Sequence, residues 1–159
     1  MTKNDSRGSP EAIGAKPPVL ERGDLTRRII GCFFDTYNGL GHGFLESVYE
    51  AALAISLQGV GLQFTRQAPI EVWYRGQVVG DFKADILVEN AVILELKVAK
   101  SLDAVHMAQL LNYLTATTVE VGFLLNFGVK PEFKRVVLSQ RHKKSARFRA
   151  NPRLDSAGF

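Results

Sequence analysis

The chain has 159 residues, 46% hydrophobic and 23% charged, the balance of a soluble globular protein with one sizeable core. No apolar stretch approaches the roughly 20 residues of a membrane helix, and Cys32, the single cysteine, excludes an intramolecular disulfide and a cysteine-ligated iron–sulfur cluster. The net charge of +4 is uneven: residues 1–132 hold 12 Lys/Arg against 15 Asp/Glu, or −3, and residues 133–159 hold 8 against Asp155 alone, or +7.

Residues 1–22 are rich in Gly, Pro, Ser and charge and read as a flexible leader. The first ten residues lack the apolar run of a secretion signal, which makes the cytoplasm the expected compartment. A helix is expected from near Asp24, a suitable N-cap, with Leu25, Ile29, Phe33 and Phe34 on one side. Asn38-Gly39-Leu40-Gly41-His42-Gly43 ends it. These glycines read as a helix–helix turn, because no strand precedes them and no Gly-Lys-Ser/Thr follows as in a phosphate loop.

A second helix runs from about Phe44 to Gln58, with Gly59 and Gly61 as stop signals. Three strand-like runs follow: Phe64–Tyr74, broken around Ala68-Pro69, then Val78–Val88 and Ala91–Val98. Arg75-Gly76-Gln77 and Glu89-Asn90 supply the turns. Ser101 caps a third helix through about Thr117; Val119–Phe127, nearly all apolar, reads as a strand buried on both faces; Val136–Leu138 adds a short last strand. The fold class is therefore α/β: a mixed central sheet flanked by helices in ααβββαβ order, an antiparallel meander followed by a crossover strand. The domain is expected over residues 23–139, with a basic tail over 140–159.

Chemistry concentrates between Asp85 and Lys97. A two-residue period along Ala91–Val98 sends Glu95 and Lys97 to one face and Leu94 and Leu96 to the other. Asp85 lies in the preceding run, which should pair with this one as a hairpin. A sheet buries ionisable groups at a cost unless they pair or hold a metal. A carboxylate pair holding a hard cation beside an ammonium suits phosphodiester hydrolysis. An inward Glu–Lys salt bridge with Asp85 elsewhere fits these residues equally well. The turn decides: two residues at Glu89-Asn90 would leave Asp85 and Glu95 on opposite faces, whereas a three-residue connection would set them across from one another.

Glu46 shares a stripe of the second helix with Tyr49 and Leu53, and His106, Gln109 and Tyr113 share a face of the third. Taken alone, a helical Glu is most often solvated, and Gln109 and Tyr113 most often form a polar flank. His106 reads as a surface or supporting residue rather than a ligand, and His42 and His142 have no ligand-spaced partners, which argues against zinc.

Taken together, these segments resemble a known family. Gly43-Phe44-Leu45-Glu46-Ser47-Val48-Tyr49 matches the pattern that names the GxxExxY family of small bacterial proteins. Gly80-Asp81-Phe82-Lys83-Ala84-Asp85, Glu95-Leu96-Lys97 and Gln109-Leu110-Leu111-Asn112-Tyr113 resemble its remaining motifs, with Ala84 in place of the superfamily's proline. That family is similar to the PD-(D/E)xK nucleases, in particular the RecB-like branch with its Gln-x-x-x-Tyr helix. The resemblance, over about Leu25 to Leu138, implies a restriction-endonuclease-like fold and a metal-dependent nuclease acting on DNA. It implies Mg²⁺ or Mn²⁺ held by Asp85, Glu95 and the backbone carbonyl of Leu96, with Glu46 reaching the metal through water. Lys97 would orient the attacking water, and Gln109 and Tyr113 would position substrate or lysine.

The resemblance is silent on the tail. Its Arg141, Lys143, Lys144, Arg147 and Arg149 could contact nucleic-acid phosphates, or the segment could serve only as a solvated appendage. A non-cleaving nucleic-acid-binding module of the same fold, and a protein-interaction role in a defence or repair system, remain the alternative readings. A second copy of the chain or another protein stays open as a partner; no membrane is expected.

Overall fold

A computed structural model describes residues 22–143. Residues 1–21 of the leader, and Lys144, Arg147 and Arg149 of the tail, lie outside the described residues, as do the side chains of Arg22 and His142. The elements are α1 (Arg22–Leu40), α2 (Glu46–Gly59), β1 (Phe64–Tyr74), β2 (Gln77–Val88), β3 (Val92–Lys97), α3 (Ala104–Ala116), β4 (Val121–Asn126), β5 (Glu132–Val137) and a short α4 (Gln140–Lys143). The five strands form one sheet in the order β1-β2-β3-β4-β5. The β3–β4 pair is parallel and the others antiparallel, which places α3 as the crossover expected between parallel neighbours. No helix among the described residues is long and apolar enough to cross a membrane.

Alternation along the strands divides the core. Ile86, Leu94, Leu96, Phe123 and Phe127 pack with α1 and α2 through Ile29, Phe33, Tyr49, Leu53 and Leu57. Ile93 and Leu124 turn to the other face, where Leu110, Tyr113 and Leu114 of α3 cover them with Ala68 and Ile70. The helix sits close because β4 carries Gly122, where an added Cβ would stand 2.6 Å from a Leu110 methyl. All six residues of β4 are buried, as its apolar sequence requires of a strand covered on both faces.

Two local readings change. β1 is not broken at Pro69, which pairs with Lys83 inside the ladder. Because β1 is an edge strand, a residue without an amide proton is tolerated there. The register shifts between Val72 and Trp73, and within the earlier stretch only the pair at Gln67, whose φ is +48, is missing. The third helix is capped by Asp103 rather than Ser101: the Asp103 side chain accepts from the amides of Val105 and His106, and His106 Nδ1 accepts from the Asp103 amide. That reciprocal box is what Ser101 lacks, since its third following residue is Ala104.

Candidate active site

The hairpin β2–β3 sets the geometry. Ile86 pairs with Leu94, Leu87 with Ile93 and Val88 with Val92, so Glu89, Asn90 and Ala91 form a three-residue turn. Glu89 and Asn90 both take φ near +50. Continued by one residue, this register puts Asp85 across from Glu95. The ladder stops there, and the Asp85 carboxylate itself takes the Leu96 amide, Oδ2 to N at 2.7 Å. Asp85 thus fills a hydrogen bond that a continued ladder would have given to the β2 backbone.

Glu95 and Lys97 leave the same face of β3, and Lys97 Nζ lies 3.2 Å from Glu95 Oε1. The ammonium also donates to Gln109 Oε1 at 2.8 Å, and Gln109 Nε2 donates to the Tyr113 hydroxyl at 2.9 Å. Helical spacing along α3 puts Gln109 and Tyr113 one turn apart above the sheet, so a chain of polar contacts fixes the lysine from helix to strand. Glu46 opens α2 beyond the end of β3, exposed, with Oε1 accepting from the Val98 amide at 3.3 Å. His106 serves the helix cap.

Electrostatics mark the carboxylates. Glu95 is 3% exposed, and burial, then the neighbouring Asp85, push its pKa up to about 7 against the pull of Lys97. Asp85 is raised as well, by burial above all; the Leu96 amide opposes the shift, and Glu50 and Glu46 add to it. Glu95 Oε2 is a buried side-chain oxygen with no hydrogen-bond partner. A buried acceptor beside a second desolvated carboxylate is costly for the protein alone and is what a hard cation would satisfy. Glu46 does not complete a cage: among the described residues no group of three or more His, Cys, Asp or Glu is placed to hold a metal ion. The side chains that could hold a cation are therefore Asp85 and Glu95 alone.

A family model for the PD-(D/E)XK nuclease superfamily matches residues 23–136, a span that contains all of these residues. The chain belongs to the PD-(D/E)XK nuclease superfamily. The mixed five-stranded sheet with flanking helices is the restriction-endonuclease-like architecture. No curated protein matches the chain. Among solved structures, that of SSO0001 is similar at 20% identity, over 58% of this chain and 50% of its own, with a TM-score of 0.47. The chain thus spans half the length of that protein, and a likeness so distant bears on no activity.

The structure also shows what the motif residue Tyr49 does in this PD-(D/E)XK chain, and brings in residues outside the motifs. Tyr49 is fully buried and stacks on Phe127, its hydroxyl donating to the Gly41 carbonyl at 2.6 Å, so it pins the glycine-rich turn that leads to Glu46. Asn126, also fully buried, reads both backbone groups of Ala99: Oδ1 accepts from its amide and Nδ2 donates to its carbonyl, each at 2.9 Å. It thereby fixes the chain leaving Lys97. A lone Asn in an apolar strand was a legible signal, since a buried amide must find partners. Glu50 is buried and accepts from Arg66 Nε and Gln67 Nε2. Lys143, one of the tail residues that could contact phosphates, donates to the carbonyls of Thr117 and Val119, and burial lowers its pKa to about 8. Arg141 is exposed.

Proposed function

We propose that this chain is a divalent-metal-dependent nuclease that hydrolyses phosphodiester bonds of DNA, cytoplasmic, and of the GxxExxY kind within the RecB-like branch. The unpartnered, buried Oε2 of Glu95 beside Asp85 carries the reading. Asp85 and Glu95, with the Leu96 carbonyl, would hold Mg²⁺ or Mn²⁺, with Glu46 acting through water, and a bound cation would polarise the phosphodiester and lower the pKa of water beside it. The chain's own residues do the rest. Lys97 offers a mobile positive charge to the phosphate as negative charge builds on it, a larger stabilisation in a water-poor site than in bulk. Gln109, itself held by Tyr113, keeps the ammonium from collapsing fully onto Glu95. The Gly43-to-Tyr49 segment supports the family reading physically: Gly43 takes φ +110, and Tyr49 anchors the turn that presents Glu46.

The test is direct. Purified protein is incubated with linear, circular, nicked and single-stranded DNA, and with RNA, in Mg²⁺, Mn²⁺ or chelator. Metal-dependent cutting that disappears in Glu95→Ala is the expected result. Binding without cutting under every condition would instead leave a recognition module of the same fold.

A further inference from the structure

Two adjacent residues of β1, Arg66 and Gln67, both bond the same buried carboxylate of α2. Arg66 Nε reaches Glu50 Oε1 at 2.8 Å, and Gln67 Nε2 reaches Glu50 Oε2 at 2.7 Å. Neighbours in an extended strand point to opposite faces, so one carboxylate cannot ordinarily collect both. Gln67 accomplishes it by entering the left-handed region, φ +48, a conformation that a residue with a side chain holds only when its surroundings compel it.

The kink has an address. The β1–β2 register pairs Arg66 with Ile86 and Ala68 with Ala84, and skips the pair between them, which is Gln67 and Asp85. On its other side β2 leaves β3 after Ile86↔Leu94. Asp85 is therefore released from both neighbouring ladders, and its side chain turns to the Leu96 amide. Had Gln67 been extended, the β1–β2 ladder would run through Asp85 and restore the ordinary alternation of β2, in which Ala84, Ile86 and Val88 share one face. Instead Ile86 and Val88 join the α1–α2 core, and Ala84 joins the α3 side. The strand changes face at Asp85.

We propose that Glu50 is a positioning residue: by clamping Arg66 and Gln67 it holds the left-handed kink that frees Asp85 and aims its carboxylate at the end of β3. Both Glu50 carboxylate oxygens are taken by that clamp. The proposal deepens the nuclease reading and rests on it for its consequence in catalysis, though its structural core can be tested without metal.

The test compares four proteins: wild type, Glu50→Ala, Gln67→Gly and Gln67→Val. Glycine adopts positive φ freely and keeps the kink without the side-chain bond, whereas valine resists it and favours extension. Leu96 amide protection, read by hydrogen exchange in the metal-free protein, reports the Asp85 contact. Mn²⁺ titration reports the site. Glu50→Ala and Gln67→Val should each lose Leu96 protection by about tenfold or more and weaken Mn²⁺ binding by about 10- to 100-fold, the scale of losing a group that orients a ligand. Gln67→Gly should stay close to wild type. A merely structural bond predicts the reverse order, with glycine hurt at least as much as valine. Unchanged Leu96 protection in folded Gln67→Val would overturn the clamp. Should Glu50→Ala fail to fold, the Gly/Val pair at position 67 still decides. Wild-type protein that binds no Mn²⁺ would sink the metal-site reading, while the Leu96 measurement would still decide the clamp.

Discussion

Replacing Glu95 by Gln should stabilise the metal-free protein at alkaline pH. The carboxyl is held at a pKa of about 7 in the folded chain against 4.5 as a free side chain. Between those values the folded state binds the proton more tightly than the unfolded state. Its contribution is thus full below 4.5 and lost as pH rises through 7. At about 1.4 kcal/mol per unit, the wild type should lose about 2.5 kcal/mol between pH 5 and pH 8.5 from this group alone. For a domain of this size that is roughly 10 °C in Tm. Glu95→Gln removes the titration, so its Tm should fall less over the same range; a residual slope from Asp85, raised in the same direction, remains. The assay is thermal or denaturant unfolding in chelator at both pH values, the difference between the two proteins cancelling groups they share. Saturating Mg²⁺ should flatten the wild-type slope and leave the variant's unchanged. Equal pH slopes for the two proteins in chelator would refute the reasoning, because they would mean that Glu95 is not desolvated.

Asp85→Asn should abolish most of the Tm gain that millimolar Mg²⁺ or Mn²⁺ confers on the wild type, read by thermal shift. Lys97→Ala should slow single-turnover cleavage by about 10²-fold or more with metal affinity intact or improved; a fully active variant would end its catalytic assignment. A cut after Lys143 keeps the bonds of that lysine to Thr117 and Val119 but removes Lys144, Arg147, Arg149 and Arg153. It should weaken DNA binding and flatten its salt dependence, and an unchanged slope would make the tail a solubilising appendage. Gly128→Ala would place a methyl 2.1 Å from the Ala99 carbonyl, and should cost about 1–3 kcal/mol by chemical denaturation, as overpacking does.

The order of elements, the two faces of β3 and the residues that gather at its end were legible because they follow from periodicity and from motif spacing. Alternation alone placed Glu95 with Lys97, and helical spacing alone placed Gln109 with Tyr113. What local pattern cannot report is which strand becomes an edge, so Pro69 read as a break where the sheet tolerates it. Nor can it report contacts between distant elements. Glu50 falls at helical spacing with Leu53, Ala54 and Leu57 on the buried side of α2, but nothing nearby ties it to Arg66 and Gln67 sixteen and seventeen positions on. The left-handed turn of Gln67 is equally silent, since glutamine carries no preference for it. Glu46 was placed on the right helix, but its meeting with the Val98 amide rather than with the two inner carboxylates depends on how α2 lies across the sheet.

The three-residue turn at Glu89–Ala91 makes the hydrophobic core a proofreader for the candidate site. Ile86 and Leu94 face each other directly and sit in the same fully buried cluster. Any turn of the wrong parity would send one of them to the opposite side, and the chain would fail to bury its apolar groups before any question of chemistry arose. A molecule that solves the packing problem has, by the same count of residues, already set Asp85 and Glu95 at opposed positions of the hairpin, so that only the local turn of β2 at Asp85 is left to aim its carboxylate at the Leu96 amide.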